Sequence, residues 1–153
     1  MDLKQIDPSR IKIEGFFSAI LYGPDGVEKD RREVKNIVTN AGRQAIIDRL
    51  QGNSPAVADY IAIGTGSTAA AAADTTLQTE VARAQGTLSQ PDAHTDRCTY
   101  TFSAGTGTGT ITEAGRLNAS SSGTLMGRQV FTGIVKGADD TLQIIYNFTY
   151  AAS

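Results

Sequence analysis

The sequence is poor in the residues from which most catalytic sites are built. It has one cysteine, one histidine and no tryptophan among its 153 residues. Cys98 has no partner for an internal disulfide, and we expect it to be a reduced, strand-borne apolar residue. His94 would have to serve any mechanism that needs an imidazole base, and no recognisable nucleophile accompanies it. These shortages disfavour hydrolytic and redox enzymes, so the sequence predicts a protein that is not an enzyme.

Long apolar runs and a strong net charge are also missing. No run approaches the roughly 18 residues of a membrane span, and the opening MDLKQIDPSR lacks the apolar core of a signal peptide. The net charge of −2 gives no field that would attract nucleic acid or an anionic membrane. We therefore expect no nucleic-acid or membrane partner and a protein that folds in cytoplasm. The length predicts a single domain over 10–153, preceded by a polar arm over 1–9.

What the sequence does contain is a series of strand patterns. Residues 10–22 alternate, and one face of that strand would carry Ile11, Ile13, Phe17, Ala19 and Leu21. Gly15 lies in the same row and is interpreted as a bulge. The turn GPDG at 23–26 leads into a charged return strand over 27–39, whose first half should be solvated.

One helix is predicted, over residues 40–51. Thr39 or Asn40 can cap its start, and Gly52 is well placed to end it. Its apolar side chains form one narrow face, which favours a helix lying on a sheet: Ile46, Ile47 and Leu50.

The rest of the chain is read mainly as β structure. DYIAIG at 59–64 predicts a short buried strand, whereas 77–85 is typical of either a helical turn or an irregular strand. Four further strands are expected from 97 onward, with a hairpin at 136–140. The last strand should bury Leu142, Ile144, Tyr146, Phe148 and Tyr150. The fold class predicted is therefore mainly β: an antiparallel β-sandwich with one short helix packed on it.

Two glycine clusters are candidates for phosphate-binding loops. GTGS at 64–67 follows a strand, but no third glycine stands in register and no lysine lies nearby, as such a loop requires. It is interpreted as a structural bend. GTGTG at 105–109 has no helix after it and is interpreted as a flexible hairpin connection. No cofactor is predicted.

The segment DAHTD at 92–96 contains the only metal candidates. Asp92, His94 and Asp96 would point the same way in an extended chain, and imidazole with carboxylates suits several divalent ions. A polar loop beside Pro91 is the simpler interpretation, and a metal-assisted hydrolase is the corresponding hypothesis. Glu80 and Glu113 lie among small polar residues, with nothing in the sequence that would raise a pKa.

The order of three segments resembles that of tailed-bacteriophage virion proteins. The segments are KNIVTNAGRQAIIDRL, DYIAIGTGSTAAAAADTTLQTEVAR and GTITEAGRLNASSSGTLMGRQVFTGIVKGADDTLQIIYNFTY, which together cover most of residues 35–150. Two positions depart from the family pattern: AAAAAD replaces a proline-bearing stretch, and GRLN replaces a phenylalanine-bearing one, where Leu117 could substitute.

The resemblance implies roles for particular residues. Gly64 and Gly66 would release the chain into an extended crossing segment, in which Asp74 and Thr75 fix a turn. Glu80 or Arg83 would make a buried or an interface ion pair. Ile6 and Asp7 are further interface candidates, in an arm that would reach a neighbouring subunit.

The resemblance also implies a function. We expect a non-enzymatic structural protein of a phage virion, forming a trimer, pentamer or hexamer with copies of itself and contacting other virion proteins. Its place would be the tail, baseplate or fibre attachment, or the capsid surface as a decoration (cement) protein. The alternative is a host-surface binding module that recognises a glycan or protein through the loops at 87–97 and 103–110.

Overall fold

A computed structural model describes residues 11–152 as nine strands and one helix. The predicted arm residues Ile6 and Asp7 lie outside this range. In chain order the elements are β1 (Ile11–Tyr22), β2 (Glu28–Val38), α1 (Asn40–Leu50), β3 (Tyr60–Gly64), β4 (Glu80–Gln85), β5 (Thr87–Asp92), β6 (Thr95–Phe102), β7 (Gly109–Leu117), β8 (Leu125–Lys136) and β9 (Thr141–Ala152). Within that range, no helix has the length and apolar character needed to cross a membrane.

All nine strands belong to one antiparallel sheet in the order β4-β3-β7-β8-β2-β1-β9-β6-β5. The sheet curls into a half-barrel. Its two edge strands, β4 and β5, are consecutive in the chain, and only Gly86 separates them. The structure thus confirms a mainly β, antiparallel fold with a single short helix.

The two layers of the predicted sandwich are two halves of this sheet. They are joined by only two residue pairs between β2 and β8, Ile37 with Arg128 and Val38 with Gly127. Beyond this junction the halves face each other, and the ring centroid of Phe17 on β1 lies 4.9 Å from that of Phe131 on β8. The core therefore lies between two layers, because apolar side chains of both inner faces meet there.

The charged half of β2 borders the gap where its pairing with β8 stops. Arg32 donates from Nε to the Thr132 carbonyl at 2.9 Å and from Nη2 to the Gly133 carbonyl at 3.1 Å. A guanidinium thus binds the carbonyls of two β8 residues that take no part in the described pairing of β8 with β2 or β7. Exposed charges along the same strand disfavour edge-to-edge pairing with another chain.

Alternation along β1 and β9 matches the predicted inner faces at most positions. Phe17, Ala19 and Leu21 are buried, as are Leu142, Ile144, Tyr146 and Phe148. Ile11 is an exception: at the strand end, opposite Ala152, it is 76% exposed.

The bulge predicted at Gly15 is wrong. Gly15 pairs regularly with Asn36 and Phe148, and the pairing of β1 with β2 shifts only between Leu21 and Tyr22. A Cβ at Gly15 would stand 1.7 Å from Oδ1 of Asn36. The glycine therefore leaves room for the buried Asn36 amide, whose Nδ2 donates to the Tyr146 hydroxyl at 2.8 Å.

The helix is confirmed, but its buried face differs from the predicted one. Thr39 caps the start by accepting from the Gly42 N–H at 2.9 Å, and Gly52 ends the helix with a φ of +79°. Gly42 and Ala45 are the buried helix residues. Of the predicted apolar face, Ile46 is partly buried and packs against the main core, whereas Ile47 is 46% exposed and Leu50 is 84% exposed. The small residues face the sheet because the helix approaches β8 closely: a Cβ at Gly42 would lie 2.4 Å from the Met126 carbonyl oxygen.

Two ambiguous segments are resolved by the structure. The helical alternative for 77–85 is wrong, because Glu80–Gln85 forms β4, paired with β3. The segment 103–108 is not the predicted hairpin connection, because β6 and β7 are not neighbours in the sheet. It crosses instead from one half of the sheet to the other.

Candidate functional site

The residues between β3 and β4 form a crossing segment, 65–79, that lies over the outer face of the sheet. Its base is closed by the Thr65 N–H, which donates to the Thr79 carbonyl at 2.9 Å. Leu77, within the segment, is buried in a small apolar cluster with Ala62, Leu117 and Leu125 of the sheet. The segment therefore packs on a second apolar face, opposite the main core.

A buried carboxylate on β7 anchors both ends of this segment. Glu113 is 0% exposed. Its Oε1 accepts from the N–H groups of Gly66 at 3.0 Å and Thr79 at 2.7 Å, and its Oε2 accepts from the Gln78 N–H at 3.0 Å. In the GTGS segment at 64–67, the Gly66 N–H thus donates to a carboxylate of the same chain and not to a bound phosphate.

The cation of this site is Arg128 on β8, whose side chain is 3% exposed. Its Nε lies 2.9 Å from Oε2 of Glu113, its Nη1 lies 2.8 Å from Oδ2 of Asp74, and its Nη2 donates to the Thr68 carbonyl at 3.0 Å. Asp74 also accepts from the Ala71 N–H at 2.9 Å, which fixes the expected turn. Glu113, Arg128 and Asp74 are called the anchor network below.

Ionisation of the anchor network follows from its hydrogen bonds. Burial alone raises the pKa of Glu113, but three backbone N–H groups and the Arg128 guanidinium outweigh it, so that the pKa is lowered. The pKa of Asp74 is likewise lowered against burial, by the Ala71 N–H and Arg128. Burial lowers the pKa of Arg128, and the two carboxylates reverse that effect and raise it. All three groups are therefore charged at neutral pH.

The role of Glu113 could not be read from strand alternation, because the register of β7 against β8 changes just before it. Glu113 pairs with Val130, whereas Ile111 pairs with Ile134, so the pairing of β7 with β8 shifts between them. Past that shift, Glu113 lies under the crossing segment with Leu117. Simple alternation from Ile111 would put Glu113 in the main core. The alternating pattern therefore could not predict that Glu113 binds the crossing segment.

The structure does not gather the predicted metal candidates into one site. Ala93 and His94 form the tight turn of the β5–β6 hairpin, and Asp92 accepts from the His94 N–H at 2.8 Å. That hydrogen bond is the largest cause of the lowered pKa of Asp92. Asp96 instead pairs with Arg116, 2.9 Å from its Nη2. Among residues 11–152 no group of three potential ligands could hold a metal ion.

The predicted interface pair is present as an ion pair within the chain. Nη2 of Arg83 lies 2.7 Å from Oε2 of Glu80. Nη1 of Arg83 also donates to the carbonyls of Ala119 and Ser122, each at 2.9 Å. Arg83 thereby ties the edge strand β4 to the turn between β7 and β8.

The hairpin from β8 to β9 contains a buried lysine. Lys136 is 1% exposed, and its Nζ donates to the Ser103 carbonyl at 2.9 Å. Burial lowers its pKa, and the charge of Asp140 partly opposes that shift. Asp140 closes the turn by accepting from the Gly137 N–H at 2.8 Å and also binds Lys29. Lys136 therefore ties the β8–β9 hairpin to Ser103 at the start of the segment 103–108, and Asp140 holds the turn of that hairpin.

No protein-family model, no curated protein and no solved structure matches the chain. The functional argument therefore depends on the chemistry of the described residues. In the anchor network, both carboxylate oxygens of Glu113 and all three nitrogens of Arg128 have partners inside the chain. Such an arrangement holds a segment in place and offers no unoccupied acid or base.

Proposed function

We propose that this protein is a non-enzymatic structural component of a tailed-phage virion. It is made in the host cytoplasm and assembles as a symmetric oligomer with other virion proteins as neighbours. The order of three sequence segments supports this context. The anchor network supports the non-enzymatic role, since its buried charges are fully used in holding the crossing segment.

The observation that carries the proposal is the set of large apolar side chains left in solvent. Nine of them are exposed among residues 11–152: Ile11, Phe16, Val27, Ile47, Leu50, Val57, Val81, Leu88 and Val135. Isolated exposed apolar residues are ordinary, but clustered ones mark interaction surfaces. Ile47 and Leu50 are three residues apart on α1 and therefore lie side by side on its exposed face. We assign these two residues, the α1 surface, to a contact between subunits.

The test compares particle incorporation of variants of the α1 surface. Replacing both Ile47 and Leu50 with serine should reduce incorporation into virions and weaken the oligomer measured by native mass spectrometry. The free energy of unfolding should change little, because both side chains are largely exposed. Val135→Ser is the matched control and should incorporate normally, because Val135 is exposed at the opposite end of β8 from Met126, where α1 packs. Normal incorporation of the double variant would remove the α1 surface from the proposal.

The second candidate function, a host-surface binding module, rests on the β5–β6 hairpin. Every residue of β5 is exposed, and it forms one edge of the sheet. The segment 87–97, expected to be a loop, is instead the β5–β6 hairpin, with its turn at 93–94. That turn lies at one end of β6 and the segment 103–108 leaves the other end, roughly 26 Å away for eight extended residues. One subunit would therefore offer two separate contacts. Saturable binding of the isolated protein to a glycan array or to host cells would favour this function.

A further inference from the structure

A cavity of about 190 Å³ lies between α1, the segment before β3 and the β6 and β9 strands. Its wall is largely apolar, with contributions from Val57, Leu88 and Met126. Three charged residues also line it: Arg49, Asp96 and Arg116. Small-molecule sites usually enclose roughly 300–1,000 Å³, so this cavity suits a small group only.

The most buried charge at this cavity is Arg116, which is 2% exposed. Its Nε donates to the Ala58 carbonyl at 2.6 Å, and its guanidinium lies 5.2 Å from the centre of the Phe148 ring. Its Nη1 is buried and has no hydrogen-bond acceptor among the described residues. A buried donor without an acceptor is costly, because it has lost water and gained nothing in exchange.

The pairing of Arg116 with Asp96 uses only one side of the guanidinium. Both carboxylate oxygens of Asp96 approach the same nitrogen, Nη2, at 2.9 and 3.2 Å. The Asp96 side chain is 43% exposed and can turn toward water. A carboxylate that binds Nη1 and Nη2 together would form the stronger bidentate pair that arginine favours.

We propose that the cavity binds a carboxylate carried on a short aliphatic group. The incoming carboxylate displaces Asp96 and bonds both terminal nitrogens of Arg116, and its aliphatic group lies against Val57, Leu88 and Met126. Arg49 at the cavity wall adds a second positive charge. The ligand is either a free short-chain acid or the carboxyl-terminal residue of a polypeptide, which share this chemistry. This site does not depend on the virion assignment.

The test is a titration followed on the Arg116 Nε–H signal by NMR and by calorimetry. Isovalerate represents the free acid, and N-acetyl-leucine represents a polypeptide terminus. Isovaleramide and N-acetyl-leucinamide are neutral controls of the same shape. We expect a saturable response to at least one acid and none to its amide. Tighter binding of isovalerate identifies a free acid as the ligand, and tighter binding of N-acetyl-leucine identifies a polypeptide terminus.

Three variants make the test specific. Asp96→Asn removes the competing carboxylate and should tighten binding roughly two- to fivefold, the range of one exposed ion pair. Arg116→Lys removes the bidentate donor and should weaken binding at least about tenfold. Arg49→Gln, an exposed change, should weaken binding without affecting the fold, and it keeps the test decisive if Arg116→Lys does not fold. Equal responses to acids and amides, or unchanged affinity in Asp96→Asn, would overturn the proposal.

Discussion

At the scale of single residues, the stability of the crossing segment depends on a carboxylate that water does not reach. Glu113 gathers three backbone N–H groups and one guanidinium nitrogen, and Arg128 passes the connection on to Asp74. Replacing such a network with apolar residues can be neutral, but removing one partner leaves a buried charge uncompensated. Individual anchor residues should therefore be sensitive to substitution.

The first prediction concerns Glu113→Gln. Glutamine keeps the shape but loses the negative charge opposite Arg128, so the free energy of unfolding should fall by about 3 kcal/mol. Urea unfolding followed by circular dichroism measures this change. The control is Glu33→Gln, which removes a carboxylate 62% exposed in its pair with Arg31 and should have little effect. Similar losses in both variants would show that burial does not set the energy of the network.

The second prediction concerns pH. Since the pKa values of Glu113 and Asp74 are lowered on folding, unfolding takes up protons, and stability falls as the pH falls. Their contribution is complete above the ordinary values of 4.5 and 3.8 and is lost through the lower folded values. The stability gap between wild type and Glu113→Gln should therefore narrow as urea unfolding is repeated from neutral pH to about pH 3. A constant gap would mean that Glu113 is not charged in the fold.

At the scale of elements, glycines set how closely two segments approach the sheet. A Cβ at Gly66 would lie 2.5 Å from both the Gln78 Cβ and Oε1 of Glu113. The crossing segment needs this glycine for space, because a methyl group would separate the Gly66 N–H from its acceptor.

The third prediction is that Gly66→Ala destabilises the fold by about 1–3 kcal/mol, as overpacking does. Thermal unfolding measures the loss. Thr65→Ala, at the exposed preceding position, is the control and should stay close to wild type. If Gly66→Ala matched that control, the close contact with Glu113 would be refuted.

The fourth prediction sets helix propensity against packing. Alanine is a better helix former than glycine by roughly 1 kcal/mol, but at Gly42 its methyl group would meet the Met126 carbonyl oxygen. Backbone cannot yield as a side chain can, so Gly42→Ala should lower the unfolding free energy by about 1–2 kcal/mol. Leu50→Gln, at an 84% exposed position, should leave it unchanged. A more stable Gly42→Ala variant would contradict the close packing of α1 on β8.

Much of the element level could be predicted from sequence, because local signals specify it. Thr39 and Gly52 bound the helix, and alternation identified the inner face of β9. What could not be predicted depends on distant contacts. Ile47 and Leu50 satisfy the helical apolar pattern, yet the close approach of β8 buries Gly42 and Ala45 instead. Glu113 was missed because the register shift in β7 changes which face it occupies.

At the scale of the whole molecule, charged side chains such as Glu113, Arg128 and Lys136 are buried, whereas several large apolar side chains remain exposed. The anchor network and Lys136 are used in holding loops, whereas the α1 surface is left in solvent. Burying that surface against a neighbouring subunit would lower the free energy of the assembly, and this burial is the central claim of the proposed assembly role.

The measurement that tests the proposed virion role most directly is gold-labelled antibody imaging of phage particles purified from cells that produce the protein. The proposed role predicts label on every particle, over the head for a decoration protein or at the tail for an adaptor or baseplate protein. Unlabelled particles, with the protein detected only in the lysed host, would contradict the virion role.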